Sequence, residues 1–208
     1  MRNKILKPIV FLAALVPLAL LGIGALHNDL GANPIEEITH QTGLWTLILL
    51  LSTLSITPLR RFTGINWLIQ FRRMIGLFAF FYGCLHLTTY LWLDQSFDFH
   101  AIIKDVYKRP FITAGFTAFM LMVPLALTST QGWIRRLGKR WQLLHRLIYF
   151  SAAAGVTHFI WLVKKDLREP LIYATVFGVL MSIRVVFWIQ KSRRSDVRVS
   201  RPVPVQAD

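Results

Sequence analysis

Six stretches of this sequence stay apolar for about the thickness of a lipid bilayer. A helix crosses the hydrocarbon with roughly 20 apolar residues. Residues 8–27, 43–59, 74–93, 110–128, 141–163 and 170–190 meet that length, the second of them near its lower limit. Together they take up more than half of the 208 residues, and 54% of the chain is hydrophobic. The mean hydropathy of +0.49 lies well above soluble usage. The connections are too short for a separate soluble domain. The expectation is an all-α integral membrane protein, a six-transmembrane-helix bundle over residues 1–190. Residues 191–208 are polar and proline-containing, and are expected to form a disordered tail. The basic start at Arg2, Lys4 and Lys7 followed by an apolar run is also how a signal peptide begins. The run is about 20 residues long with no small-residue cleavage site, so a retained first helix is expected.

Charge gives the orientation. The net charge is +14, but its distribution argues against nucleic acid. The N-terminal segment, the 60–73 and 129–140 loops and the tail carry 16 of the Lys and Arg, while the three alternate loops carry 6. Eight of the ten acidic residues lie in those alternate loops. The positive-inside rule then puts both termini in the cytoplasm of a multi-pass protein, with the basic residues serving as topology signals and contacts for anionic lipid. The single cysteine, Cys84, allows no internal disulfide or thiolate cluster. No internal repeat, P-loop or dinucleotide-binding glycine motif is visible, so a nicotinamide cofactor is not expected as direct electron donor. Residues 27–43 read as an outer loop broken by Asn-Pro and Gly. Residues 94–109 form the longest outer loop, and Pro17 and Pro124 are expected to kink their helices.

Histidines inside the apolar runs carry the chemistry. Ionisable groups in a bilayer are rare and mark function. His86 and His158 fall in the outer halves of the third and fifth runs. His145 lies near the inner end of the fifth, about 19.5 Å from His158 along a helix. Neutral imidazoles from two helices at matching depth suit the axial positions of a haem. His86 and His158 are the candidate pair, and His145 lies at the depth of a second, inner haem. The two histidines of the fifth run would be about 140° apart on an ideal helix, which a bend near Gly155 would correct. The third run has no inner histidine; the place opposite His145 falls near Arg72 and Arg73, and arginine is a poor ligand because it stays protonated. Arg146 and the basic residues below it could hold a propionate or a phosphate. The spans lack the carboxylates a proton relay would recruit. His27, His40 and His100 are expected to be solvated.

The stretches RRMIGLFAFFYGCLHLTTYLWLD, RPFITAGFTAFMLMVPLALTST and RLGKRWQLLHRLIYFSAAAGVTHFIWLVK resemble the ferric-reductase-like transmembrane superfamily. Within it they are similar to the haem-binding membrane subunits of bacterial periplasmic methionine sulfoxide reductase systems. The resemblance implies b-type haem, one or two, with family histidines at His86, His145 and His158, and it implies an associated flavin mononucleotide. Arg72, Arg73 and Arg146 are the candidate cofactor-binding cations. It also implies a bacterial inner-membrane protein that takes electrons from the quinone pool. These would pass to a periplasmic molybdenum-containing subunit that reduces methionine sulfoxide in oxidised proteins. The chain itself would be a non-catalytic electron-transfer subunit. Two other readings stand beside this one: a stand-alone haem-dependent metal or quinone reductase, and a non-redox transporter or assembly factor.

Overall fold

A computed structural model describes residues 2–164 and 166–199, and among these residues the chain is all-helical. Helix α1 spans Arg2–His27 and α2 spans Pro34–Thr63. After a 3-10 segment, Asn66–Phe71, α3 covers Arg72–Thr88 and widens into a π-helical segment, Thr89–Asp94. Then come α4 (Phe99–Lys108), α5 (Pro110–Leu127), the short α6 (Gln131–Leu137) and α7 (Lys139–Leu144), α8 (Leu147–Leu162) and α9 (Arg168–Val199). Five helical stretches are long and apolar enough to cross a membrane: Ile5–His27, Pro34–Thr63, Asn66–Asp94, Pro110–Leu127 and Arg168–Gln190. The remaining apolar run, 141–163, is divided at His145–Arg146 between α7 and α8. Of the stretch expected to be a disordered tail, α9 includes residues up to Val199; residues 200–208 lie outside the described residues.

Two segments expected to be loops are helical. Asn33 caps α2, its Oδ1 accepting from the Glu36 amide at 3.3 Å, with Pro34 in the first helical position. An Asn-Pro pair followed by glutamates starts a helix as readily as it breaks one, because proline lacks an N–H where the helix needs none. Residues 34–42 therefore extend α2 beyond its apolar run. Gly64 closes it in the left-handed region, φ 72°. In the outer connection Asp98 caps α4 through the amides of His100 and Ala101. That helix is amphipathic: Ile102 is buried, whereas Phe99, Ile103 and Tyr107 are 71%, 70% and 89% exposed.

Prolines open rungs that other helices fill. Pro17 interrupts α1, and the Tyr82 hydroxyl from α3 enters the ladder beside it, donating to the Ala14 carbonyl at 2.8 Å and accepting from the Leu18 amide at 3.1 Å. Pro58 in α2 leaves the Leu54 carbonyl without its helical donor. The Arg184 guanidinium of α9 donates to that carbonyl, and also to Leu180 O at 3.0 Å.

The core lies where α2 packs on α3 and α5 packs on α8, around Leu50, Leu54, Ala79, Tyr82, Met122, Ala152, Val156 and Phe159. These two pairs of helices are related. Positions 39 and 111, 43 and 115, 47 and 119, 83 and 155, and 86 and 158 are each 72 apart in the chain. Their contacts are reciprocal: Gly83 of α3 faces Phe119 of α5, and Gly155 of α8 faces Leu47 of α2. That reciprocity is the mark of a two-fold relation. The structure thus carries an internal repeat that the sequence conceals: His86 and His158, Gly43 and Gly115, and Gly83 and Gly155 match, but most other residues at this spacing in these helices differ, as Thr39 and Phe111 or Leu47 and Phe119 do.

Candidate functional site

His86 and His158 meet on this pseudo-two-fold axis. Their ring centroids are 6.1 Å apart and their planes are inclined at 71°. Each ring is seated in the same way on the helix paired with its own. The Nδ1 of His86 is 2.9 Å from the carbonyl of Thr39, and that of His158 is 2.7 Å from the carbonyl of Phe111; the carbonyl lies 47 residues before the histidine in both cases. A carbonyl only accepts, so each Nδ1 is the protonated donor and each Nε2 keeps its lone pair. Four residues after each carbonyl stands a glycine against the ring. A Cβ on Gly43 would lie 3.0 Å from Nδ1 and Cε1 of His86. A Cβ on Gly115 would lie 2.8 Å from Nδ1 and 3.0 Å from Cε1 of His158.

This donor set has one strong chemical use. An imidazole nitrogen sits about 2 Å from a first-row metal and about 1 Å from its own ring centre, so two imidazoles on opposite sides of one metal place their centres about 6 Å apart. The observed separation agrees. Ligating histidines hold their ring plane and tautomer by donating the other N–H to a carbonyl, as both do here. Among the described residues no three His, Cys, Asp or Glu side chains converge to hold a metal on protein ligands alone. Two axial nitrogens without equatorial partners fit iron in a porphyrin, which brings four nitrogens of its own.

The inner end is different. His145 lies at the junction of α7 and α8, stacked on Trp141 at 3.8 Å, with its Nδ1 3.1 Å from the Trp141 carbonyl. The Trp141 indole in turn donates to Thr128 O at 2.9 Å. The bend in this run thus falls at His145–Arg146, not at Gly155, through which α8 passes unbroken. His145 is therefore not on the regular helix that carries His158, and the 140° separation does not apply. The Tyr149 ring lies under the Arg184 guanidinium at 5.3 Å. Arg72 is half-buried, while Arg73 and Arg146 are exposed. Of the three candidate cations, Arg72 alone is partly buried; the other two lie at the surface.

Thr39, Gly43, Phe111, Gly115 and Arg184 were not among the candidates. Pro58 was the signal for Arg184, because a proline in a membrane helix frees a carbonyl. The glycines carried a signal only in pairs with histidines 43 residues later. Of the histidines expected to be solvated, His27 and His100 are exposed, but His40 is half-buried against Phe159, ring centroids 6.1 Å apart, because its segment is helical.

The sequence matches the family described as ferric reductase like transmembrane component over residues 41–156. It is 55% identical over 192 residues to the "Protein-methionine-sulfoxide reductase heme-binding subunit MsrQ" of Herminiimonas arsenicoxydans, covering 91% of this chain and 88% of that one. It is 53% identical over 205 residues to the protein of the same name from Xanthomonas campestris pv. campestris strain 8004, covering 95% and 93%. To that of Rhodospirillum rubrum it is 50% identical over 193 residues, covering 92% and 93%. No solved structure matches.

Proposed function

The chain belongs to the MsrQ family of ferric-reductase-like transmembrane proteins, and on that premise we propose that it is the haem-binding, electron-carrying membrane subunit of a protein-methionine-sulfoxide reductase system. The observation that carries this reading is the His86–His158 pair, 6.1 Å apart with both Nδ1 atoms committed to carbonyls. His86 and His158 would hold a b-type haem through their Nε2 lone pairs, with the surrounding apolar helices keeping water from it, and the haem would supply one-electron transfer. A single haem is favoured over two, because His145 is stacked on Trp141 with its Nδ1 on the Trp141 carbonyl, and the inner end of α3 offers arginines, which carry no lone pair, rather than a second histidine.

The finer assignments follow the resemblance. The divided run through α7 and α8 crosses as the sixth span, both termini lie in the cytoplasm, and the membrane is the bacterial inner membrane. The chain accepts electrons from quinol and delivers them to a periplasmic molybdenum-containing reductase subunit. Flavin mononucleotide needs cations for its phosphate. Arg72 is the one cation of the three candidates turned into the bundle, with Arg73 and Arg146 at its edge.

The test uses the purified full chain in detergent. Wild type is expected to show a low-spin b-type Soret band that is reduced by quinol and reoxidised only when the periplasmic subunit is added. His86→Ala and His158→Ala should each lose that band, and His145→Ala should keep it. Full haem content in either of the first two variants would sink the assignment. Partner-independent reoxidation by ferric iron would favour a stand-alone metal reductase.

A further inference from the structure

The two histidine seats are more alike than their sequences. Helical side chains point toward the N-terminus of their helix, so a side chain covers the turn before its own Cα and lies over the carbonyl four residues back. Glycine leaves that carbonyl bare. Gly43 stands four residues after Thr39, and Gly115 four residues after Phe111. These are the two carbonyls that receive the imidazole N–H groups. The bare backbone also lets each ring approach closer than any Cβ would permit, to 2.8–3.0 Å of where that atom would lie.

We propose that Gly43 and Gly115 are positioning residues of the haem site, one for each axial histidine, which fix the ring planes and keep the Nδ1–H acceptors open. The inference rests on the haem reading of His86 and His158. A methyl group at either position acts twice. It pushes the ring off its seat, and it covers the acceptor, so that Nδ1–H loses its partner and Nε2 becomes less basic. Partners of this kind are typically worth about 10- to 100-fold in metal affinity. The effect should be larger at Gly115, where the clearance is smaller.

The planes also leave a signature. Axial imidazoles inclined at 71° lie closer to perpendicular than to parallel. Perpendicular ligand planes give a ferric low-spin EPR signal of large g anisotropy, whereas a ring released from its seat and turned toward parallel gives a more rhombic one. The Gly155→Ala control separates this readout from packing changes elsewhere in the bundle.

Gly43→Ala, Gly115→Ala and Gly155→Ala are compared by haem titration of the apoprotein, EPR and redox potentiometry. Gly155 is the control: it lies on α8 three residues before His158, and its nearest neighbour to a Cβ is Leu47 Cδ1 at 3.8 Å. The two seat variants should bind haem about 10-fold or more weakly, with a more rhombic signal and a raised midpoint potential, while Gly155→Ala matches wild type. If Gly115→Ala does not accumulate as folded protein, Gly43→Ala and its EPR signal decide alone. Wild-type affinity, signal and potential in Gly43→Ala overturn the proposal, as does an equal effect in Gly155→Ala. Should His86→Ala and His158→Ala keep their haem, it is the haem reading that fails instead.

Discussion

Replacing Tyr82 by phenylalanine removes one oxygen atom and tests how α1 is held. The ring keeps its place beside Phe81, 5.6 Å between centroids. What is lost is a hydroxyl that both donates to Ala14 O at 2.8 Å and accepts from Leu18 N at 3.1 Å. In membrane bundles one side-chain hydrogen bond is worth on average about 0.6 kcal/mol, with a maximum of about 1.7. Two bonds therefore set the expected loss at roughly 1–3 kcal/mol. Leu18 N could return to Ala14 O if α1 straightened, but Pro17 opposes this, since its ring crowds the adjacent Ala13 carbonyl. The cost of Tyr82→Phe should therefore depend on Pro17. In a Pro17→Ala background the ladder can close, and the same change should cost less than half as much, a non-additivity that a double-mutant cycle measures. The assay is reversible SDS unfolding in mixed micelles, with protease cleavage in the 28–33 segment reporting release of α1. The haem spectrum should not change. A Tyr82→Phe protein within 0.3 kcal/mol of wild type, or a loss of equal size in both backgrounds, would refute the reasoning.

Four further outcomes are expected. Arg184→Met should cost about 1–2 kcal/mol in the same unfolding assay, and less when Pro58 is also replaced by alanine, because the Leu54 carbonyl then regains a helical donor. Asn33→Ala should cost about 0.5–2 kcal/mol of helix end, seen as faster amide exchange over residues 34–38 with α5 unaffected. If α4 faces the proposed partner reductase, the double change Phe99→Ser and Tyr107→Ser should slow reoxidation by that partner while leaving reduction by the proposed quinol donor intact. Neutralising Asp94, Asp98 and Asp105 is a poorer probe, since Asp98 caps α4 and Asp105 pairs with Arg109 at 3.4 Å. A reporter fused after Asp208 should behave as cytoplasmic; a periplasmic signal would reverse the orientation.

Hydropathy located the helices well because burial in lipid demands long apolar runs. It failed where a helix has another reason to exist. Residues 34–42 are polar, and only the Asn33 cap and Pro34 announce them. The division at His145–Arg146 left no mark in an apolar run. The histidine pair was legible from depth alone, but its seats were not. Thr39 and Phe111 act through their carbonyls, which every residue type carries, and Gly43 and Gly115 act through an absent side chain. The repeat was hidden for a related reason. At most of its paired positions, as at Leu47 and Phe119, a two-fold relation asks only for similar bulk and backbone path, not for the same residue.

The seats have a bearing on speed as well as on affinity. A group that passes charge pays for every atom that must shift when the charge arrives, and preformed surroundings lower that reorganisation. Each imidazole here is pressed against a helix backbone on one side and tied at Nδ1 to a carbonyl that the same helix holds in place. Neither the ring nor its acceptor belongs to a loop. In the haem site proposed here, the ligand rings would thus be held by helix backbone rather than by loops, and little of the driving force for electron transfer would go into moving them.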